Sequence, residues 1–265
     1  MAAGEESASR VRSVAFVAGA TGYTGREVVR VLRVRGVPTV AHVRPDSSRR
    51  AEWASRFAAA GAEADSTPWE AAAMADTLRR LQPAIVFALL GTTRERGRAA
   101  AARGRAETYE SVDYGLSSLL LRAAVAAGSR PRFVYLSSVG VKEGTRNAYL
   151  AARVALEREL RGAGLPYTIA RPSFVTGADR EEFRPLERGG AIASDWALRI
   201  AARLGLRDVA DRYSSIGGAT LAEALVSAAL DPAQENRILG AGQLRAAARL
   251  GAVALTAAAH SAQSR

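Results

Sequence analysis

An α/β fold with a doubly wound parallel sheet is predicted by three observations on this 265-residue chain. Short apolar runs alternate with helix-length segments as far as residue 171, the pattern of a parallel sheet covered on both faces. Residues 14–32, VAFVAGATGYTGREVVRVL, pass from an apolar run through three glycines into a helix-patterned stretch. Pro83, Pro131 and Pro166 each stand just before or at the start of an apolar run, where a missing N–H is tolerated.

The elements follow in order. An apolar run over 14–19 is the first strand, and the period after the glycines predicts a helix over 23–35. A strand at 38–43 and a helix at 48–60 follow, with a weak third strand near Ala62–Ala64, just before Asp65. A helix over 69–80 leads to a strand at 84–90, and a long helix near 105–127 to the strand at 132–137. The helix at 147–162 and the strand at 166–171 close the regular alternation. After Arg171 the pattern loosens, and the amphipathic stretch Ala191–Leu204 and the segment Tyr213–Leu230 read as a substrate-side cap. From Gln243 the alanine-rich end predicts a helix with a loose tail. The expected organisation is a disordered tail over 1–12, a core over 13–172, a cap of the same domain over 173–240, and a C-terminal helix and tail over 241–265. That length suits one compact unit better than two independent domains.

Composition narrows the chemistry. Cysteine is absent, which excludes disulfides, thiolate metal sites and a cysteine nucleophile, and with His42 and His260 alone no histidine-rich metal site is expected. The net charge of +11 is carried by arginines scattered among alanines, with Lys142 the sole lysine, so a basic surface is expected and nucleic-acid binding is not. The opening MAAGEESASR is small and polar, unlike a signal peptide, and no apolar stretch is long enough to span a bilayer. A soluble cytoplasmic protein, monomer or homodimer, is the expectation.

Gly19, Gly22 and Gly25 fall at GxxGxxG spacing. In a strand–turn–helix unit the first permits a tight turn, the second lets backbone approach a pyrophosphate, and the third lets the helix pack on the strand. The phosphates of a dinucleotide would then sit at a helix N-terminus, whose N–H groups and dipole favour anions. Arg44 ends the second strand nineteen residues beyond Gly25, where a selective NAD site places an acidic side chain on the ribose hydroxyls. Arginine there favours a 2′-phosphate, hence NADP(H) ahead of NAD(H). Arg49 and Arg50 are positioned to add to that pocket, while Asp46 is the rival ribose ligand or a helix cap.

The fifth strand runs into Ser137-Ser138; Tyr149 comes twelve residues after Ser137, and Arg153 lies one turn beyond Tyr149 on the same helix face. Such a group suits carbonyl reduction or alcohol oxidation: the serine holds the carbonyl oxygen and the tyrosine moves the proton. A phenol with a pKa of about 10 needs a neighbouring cation for this work at neutral pH. Arg153 brings that charge, and its fork also suits ribose hydroxyls, although it does not reproduce a compact ammonium.

GATGYTG, LGTTR, YLSSVG, the YLAAR helix start and IARPSFVTG together resemble the atypical short-chain dehydrogenase/reductase superfamily, with its NAD(P)-binding Rossmann fold. Within it the likeness is to Tat-interacting-protein-like oxidoreductases and NmrA-like proteins, over about residues 13–230. The resemblance implies NADPH bound by the glycine loop and the arginine after strand two, which map to Gly19, Gly22, Thr24, Gly25 and Arg44, with Thr21, Tyr23 and Asp65 as further candidates. It implies that Leu90, Gly91, Thr92 and Thr93 line the cofactor riboses, and that Ser137 and Tyr149 are catalytic, with Arg153 in place of the usual lysine. Asp113 falls where many such proteins carry an asparagine that arranges a relay water; the other reading pairs it with Arg122 or a neighbour. Arg94, Arg96, Arg98, Arg103 and Arg105 read as a solvated run or an attractor for an anionic substrate. The leading expectation is an NADPH-dependent oxidoreductase with a small-molecule substrate. A cofactor-sensing regulator with a protein partner, or an isomerase or dehydratase, draws on the same residues.

Overall fold

The computed structural model describes residues 14–92, 102, 107–173, 175–176 and 216–263. The elements are β1 (Ala15–Ala18), α1 (Tyr23–Val34), β2 (Thr39–His42), α2 (Arg50–Ala59), β3 (Glu63–Asp65), α3 (Ala71–Leu81) and β4 (Ile85–Ala88). A π-helical stretch, Tyr109–Leu116, then runs into α4 (Ser117–Ala127), followed by β5 (Arg132–Leu136), α5 (Ala148–Gly162) and β6 (Tyr167–Arg171). The short strands β7 (Val175–Thr176) and β8 (Ile216–Gly217) pair with each other, and α6 (Gly218–Leu230), β9 (Arg237–Gly240) and α7 (Ala241–Gln263) complete the fold.

Seven strands form one sheet in the order β3-β2-β1-β4-β5-β6-β9, and every neighbouring pair is parallel. The direction of winding reverses between β1 and β4, which pair from Ala15↔Ile85 to Ala18↔Ala88. In an open α/β sheet this switch point, beyond the strands' C-terminal ends, is the usual ligand position. β1 and β4 are buried at every position, which explains why they read as continuous apolar runs instead of alternating ones.

The two faces have separate cores. Gly25, Val28, Val29 and Leu32 of α1 repeat at helical spacing and are buried; the three apolar side chains join Trp53 and Phe57 of α2 and Leu221, Ala222 and Leu225 of α6 over one face. Met74 and Leu78 of α3, Leu120 and Leu121 of α4, and Leu156 and Leu160 of α5 cover the other face against Phe16, Phe133 and Tyr135.

The predicted strands and helices through residue 171 are all present, with the weak third strand at Glu63–Asp65. The region after 171 differs from the expected cap. α6 packs in the core under α1, and β9 extends the sheet beyond β6. Within the segment Tyr213–Leu230, expected in the cap, the Ala, Leu and Val of this helix carry no mark in the sequence of which partner they cover. The stretch Ala191–Leu204 lies outside the described residues.

Candidate active site

The β1–α1 turn is shaped by its glycines. Gly19 has φ +82, and a Cβ there would meet the Leu89 carbonyl oxygen at 2.5 Å, so the turn lies directly on the chain leaving β4. Gly22 donates its N–H to the Gly19 carbonyl at 3.0 Å and is the N-cap of α1, without a side-chain cap bond or an acidic residue in the first turn. A Cβ on Gly25 would overlap the Gly19 carbonyl oxygen and the Ala20 Cα, so the third glycine packs the helix on the loop itself, where close packing on the strand was expected. Tyr23, the first residue of α1, lies against Gly218 at the start of α6; a Cβ on Gly218 would overlap its ring. The uncapped helix start and the glycine backbone cradle fit a pyrophosphate, which needs backbone donors and close approach more than side chains.

At the adenosine side, Arg44 leaves β2 and is half-exposed; its Nη1 donates to Glu107 Oε1 at 2.9 Å, with Asp46 Oδ1 at 3.8 Å from its Nε. Arg49 pairs with Glu52 and Arg50 donates to the Pro45 carbonyl, so neither converges on Arg44 through these bonds. Asp46 does not cap α2, whose N-cap is Arg49. Asp65, ending β3, accepts from the Thr67 N–H and hydroxyl, each at 3.0 Å. Beside it the buried His42 bonds the Thr67 carbonyl at 2.8 Å through Nε2 and stands edge-on to Trp69. Burial holds its pKa below the ordinary 6.5, against the pull of the Thr67 carbonyl and Asp65.

The nicotinamide side is built around a buried ion pair. Asp113, in the π-helical stretch, accepts from Arg153 Nη2 at 3.0 Å and from the Thr92 N–H at 2.9 Å. The two side chains are 0% and 7% exposed. This corrects the pairing with Arg122, whose partner is Glu159 at 2.7 Å. Burial raises the Asp113 carboxyl above the usual carboxylate range, opposed by the Arg153 charge and the Thr92 amide. Arg153 Nη1 also donates to the Leu136 carbonyl at 2.5 Å and the Tyr135 hydroxyl at 3.3 Å. Its fork, expected to reach ribose hydroxyls, is therefore largely held by protein. The guanidinium carbon stands 4.5 Å from the Tyr149 ring centroid, and Tyr109 packs edge-on to the same ring at 5.3 Å. Gly91 borders the pair: a Cβ there would be 3.4 Å from Asp113 Oδ1 and 3.7 Å from Arg153 Nη2. Thr92 Oγ1 and Arg153 Nε, on the two residues that bond Asp113, are buried without a hydrogen-bond partner.

Ser137 is turned elsewhere. It is 3% exposed, and its hydroxyl donates to Glu157 Oε1 at 2.5 Å, while Arg171 grips the same carboxylate with Nε at 2.9 Å and with Nη2. The expected role of holding a carbonyl oxygen through that proton is thus preempted in this structure. Glu157 was missed by sequence reasoning, although an acidic residue one turn after Arg153 between the buried Leu156 and Leu160 was a usable signal. Tyr109 and Tyr135 gave none, since an aromatic in a helix or strand reads as packing. Thr93 and the arginines at 94, 96, 98, 103 and 105 lie outside the described residues. Among the described residues no cluster could hold a metal ion, and no helix is long and apolar enough to cross a membrane.

"Protein fmp52-1, mitochondrial" of Aspergillus terreus is 32% identical over 202 residues, covering 74% of this chain and 79% of that protein. Its name overturns the expected cytoplasmic location, which rested on a polar N-terminus that gave no address. UDP-glucose 4-epimerase of Thermotoga maritima aligns with a TM-score of 0.57 at 18% identity, over 88% of this chain and 80% of that one. Triphenylmethane reductase of Citrobacter sp., in complex with NADP(H), aligns with a TM-score of 0.55 at 19% identity, over 86% and 69%. At those identities the likeness is one of fold, the Rossmann arrangement. Residues 19–199, from the first cradle glycine onward, match the NAD(P)H-binding family, and the chain belongs to it.

Proposed function

We propose that the protein is an NADP(H)-dependent oxidoreductase that interconverts a small carbonyl compound and its alcohol. The observation that carries this reading is the stacking of Tyr149 on the buried Arg153 guanidinium, whose ion pair with Asp113 is bordered by Gly91 after β4. The backbone of Gly19, Thr21, Gly22, Tyr23, Thr24 and Gly25 would hold the pyrophosphate, Arg44 the 2′-phosphate, and Asp65 the adenosine side. Leu90, Gly91, Thr92 and, by sequence position, Thr93 would line the riboses, with the Thr92 hydroxyl as a donor. The bound nicotinamide supplies or accepts the hydride.

The protein's own part is proton movement. In the reductive direction the Tyr149 hydroxyl donates its proton to the carbonyl oxygen, and the Arg153 cation over the ring stabilises the phenolate left behind. Burial pushes the Tyr135 phenol up, so the second tyrosine on Arg153 stays a neutral partner. Asp113 fixes the guanidinium and lowers the net positive charge of the site. Ser137 acts through Glu157 as a positioning residue, setting the end of β5 against α5 and β6.

Fluorescence titration with NADPH and NADH tests binding: NADPH is expected to bind more tightly, and failure of both to bind overturns the reading. Turnover of NADPH against a panel of aldehydes, ketones and quinones tests chemistry. Full activity in Tyr149→Phe would remove the tyrosine from its role.

A further inference from the structure

Arg44 already has an anion. Its guanidinium faces two carboxylates, and Glu107 is both the nearer, at 2.9 Å against 3.8 Å for Asp46, and the better sheltered, 21% against 53% exposed. Glu107 stands two residues before the π-helical stretch whose Asp113 holds Arg153, so the pair ties the end of β2 to the segment that forms the nicotinamide side.

We infer that Glu107 is a cofactor-specificity residue: an internal anion on Arg44 that a ribose 2′-phosphate must displace, whereas an unphosphorylated ribose leaves it in place. The inference rests on the reading of Arg44 as the 2′-phosphate residue. Glu107 holds the guanidinium through Nη1; a phosphate gripped bidentately through the two Nη atoms needs that same donor and, carrying close to two negative charges, outbids a single carboxylate for it. The exchange carries a cost, because Glu107 loses its partner and then borders a like charge. A ribose with free hydroxyls asks for no exchange: neutral hydroxyl donors approach carboxylates while the Arg44–Glu107 bond stays closed. Glu107 therefore opposes NADP(H) selectively and keeps the preference set by Arg44 moderate. Both side chains keep solvent contact, which limits the effect to that of a screened pair, about two- to fivefold in affinity.

The test is titration of wild type, Glu107→Gln, Arg44→Ala and the double variant with NADPH and NADH at low and moderate salt. Glu107→Gln is expected to tighten NADPH by about two- to fivefold without changing NADH, to lose part of that gain in salt, and to lose all of it when Arg44 is alanine. If Glu107→Gln leaves NADPH unchanged, or tightens both cofactors equally, while Arg44→Ala still weakens NADPH, the inference falls and the Arg44 reading stands. If Arg44→Ala leaves the ratio of the two affinities unchanged, both fall.

Discussion

Truncating Asp113 to alanine tests whether the Asp113–Arg153 pair carries both stability and the site. The side chains are 0% and 7% exposed, so the variant strands a guanidinium in the interior with neutral acceptors such as the Leu136 carbonyl and the Tyr135 hydroxyl but without its charged partner. Breaking a buried pair by removing one partner costs about 3–5 kcal/mol. The Thr92 N–H also loses its acceptor, worth about 1–3 kcal/mol in isolation, but the loss is shared with the first and does not add in full. At about 2 °C per kcal/mol for a chain of this size, the melting point should fall by about 6–10 °C. Removing Arg153 as well, as Asp113→Ala/Arg153→Met, takes away the stranded charge and should restore about 2–3 kcal/mol, which urea unfolding followed by circular dichroism would read as a coupling energy. A single variant within about 0.5 kcal/mol of wild type, or a double variant equal to the sum of the two singles, would refute the argument.

Tyr149→Phe should lower turnover by about 10²–10⁴-fold while leaving the NADPH dissociation constant in place, since the ring and its stacking on Arg153 survive; equal loss in both would make it a packing residue. Gly218→Ala sets a methyl into the Tyr23 ring and should cost about 1–3 kcal/mol in urea unfolding, recovered when Tyr23 is also alanine; no recovery would mean the strain lies elsewhere. His42 is held neutral by burial, with a folded pKa below 6.5, so the unfolded chain binds the extra proton first. Its contribution is present above that value and is lost as pH falls toward the folded pKa, with a slope of up to about 1.4 kcal/mol per pH unit that should flatten in His42→Phe.

The parts of the fold legible in the sequence were those where local chemistry admits one answer. A buried parallel strand needs a continuous apolar run, and Gly19 needs a residue without Cβ at φ +82, so AFVA and GATGYTG announced themselves. β3 was faint because only three residues pair, with Glu63 exposed. β9 was invisible: Arg237–Gly240 is an edge strand with its first residue exposed, and RILG has no turn signal that separates it from loop. At the site, the spacing of Tyr149 and Arg153 came from helix geometry and was readable. The partners of Arg153 were not, because Asp113 is forty residues away and its approach depends on the π-helical register of Tyr109–Leu116. The partner of Ser137 was hidden for a similar reason: Glu157, which accepts the hydrogen bond of its hydroxyl, is brought there only by the packing of α5 on β5 and β6.

The two residues that depart from the short-chain dehydrogenase/reductase pattern, Asp113 for asparagine and Arg153 for lysine, touch each other, and this makes them one change in chemistry. A carboxylate in that buried position demands a cation with a donor to spare. An ammonium has three donors on one nitrogen, whereas the guanidinium has five on a plane wide enough to reach Asp113, the Leu136 carbonyl and Tyr135 while keeping a face for the Tyr149 ring. Arg153→Lys alone should therefore lower both stability and turnover, because a shorter point charge leaves Asp113 or Leu136 without a partner. Asp113→Asn added to it should recover stability by removing the demand. Turnover recovering with stability in the double variant would show that the cation matters to Tyr149 through its charge. Stability recovering alone would show that the flat guanidinium face under the ring is what the tyrosine uses.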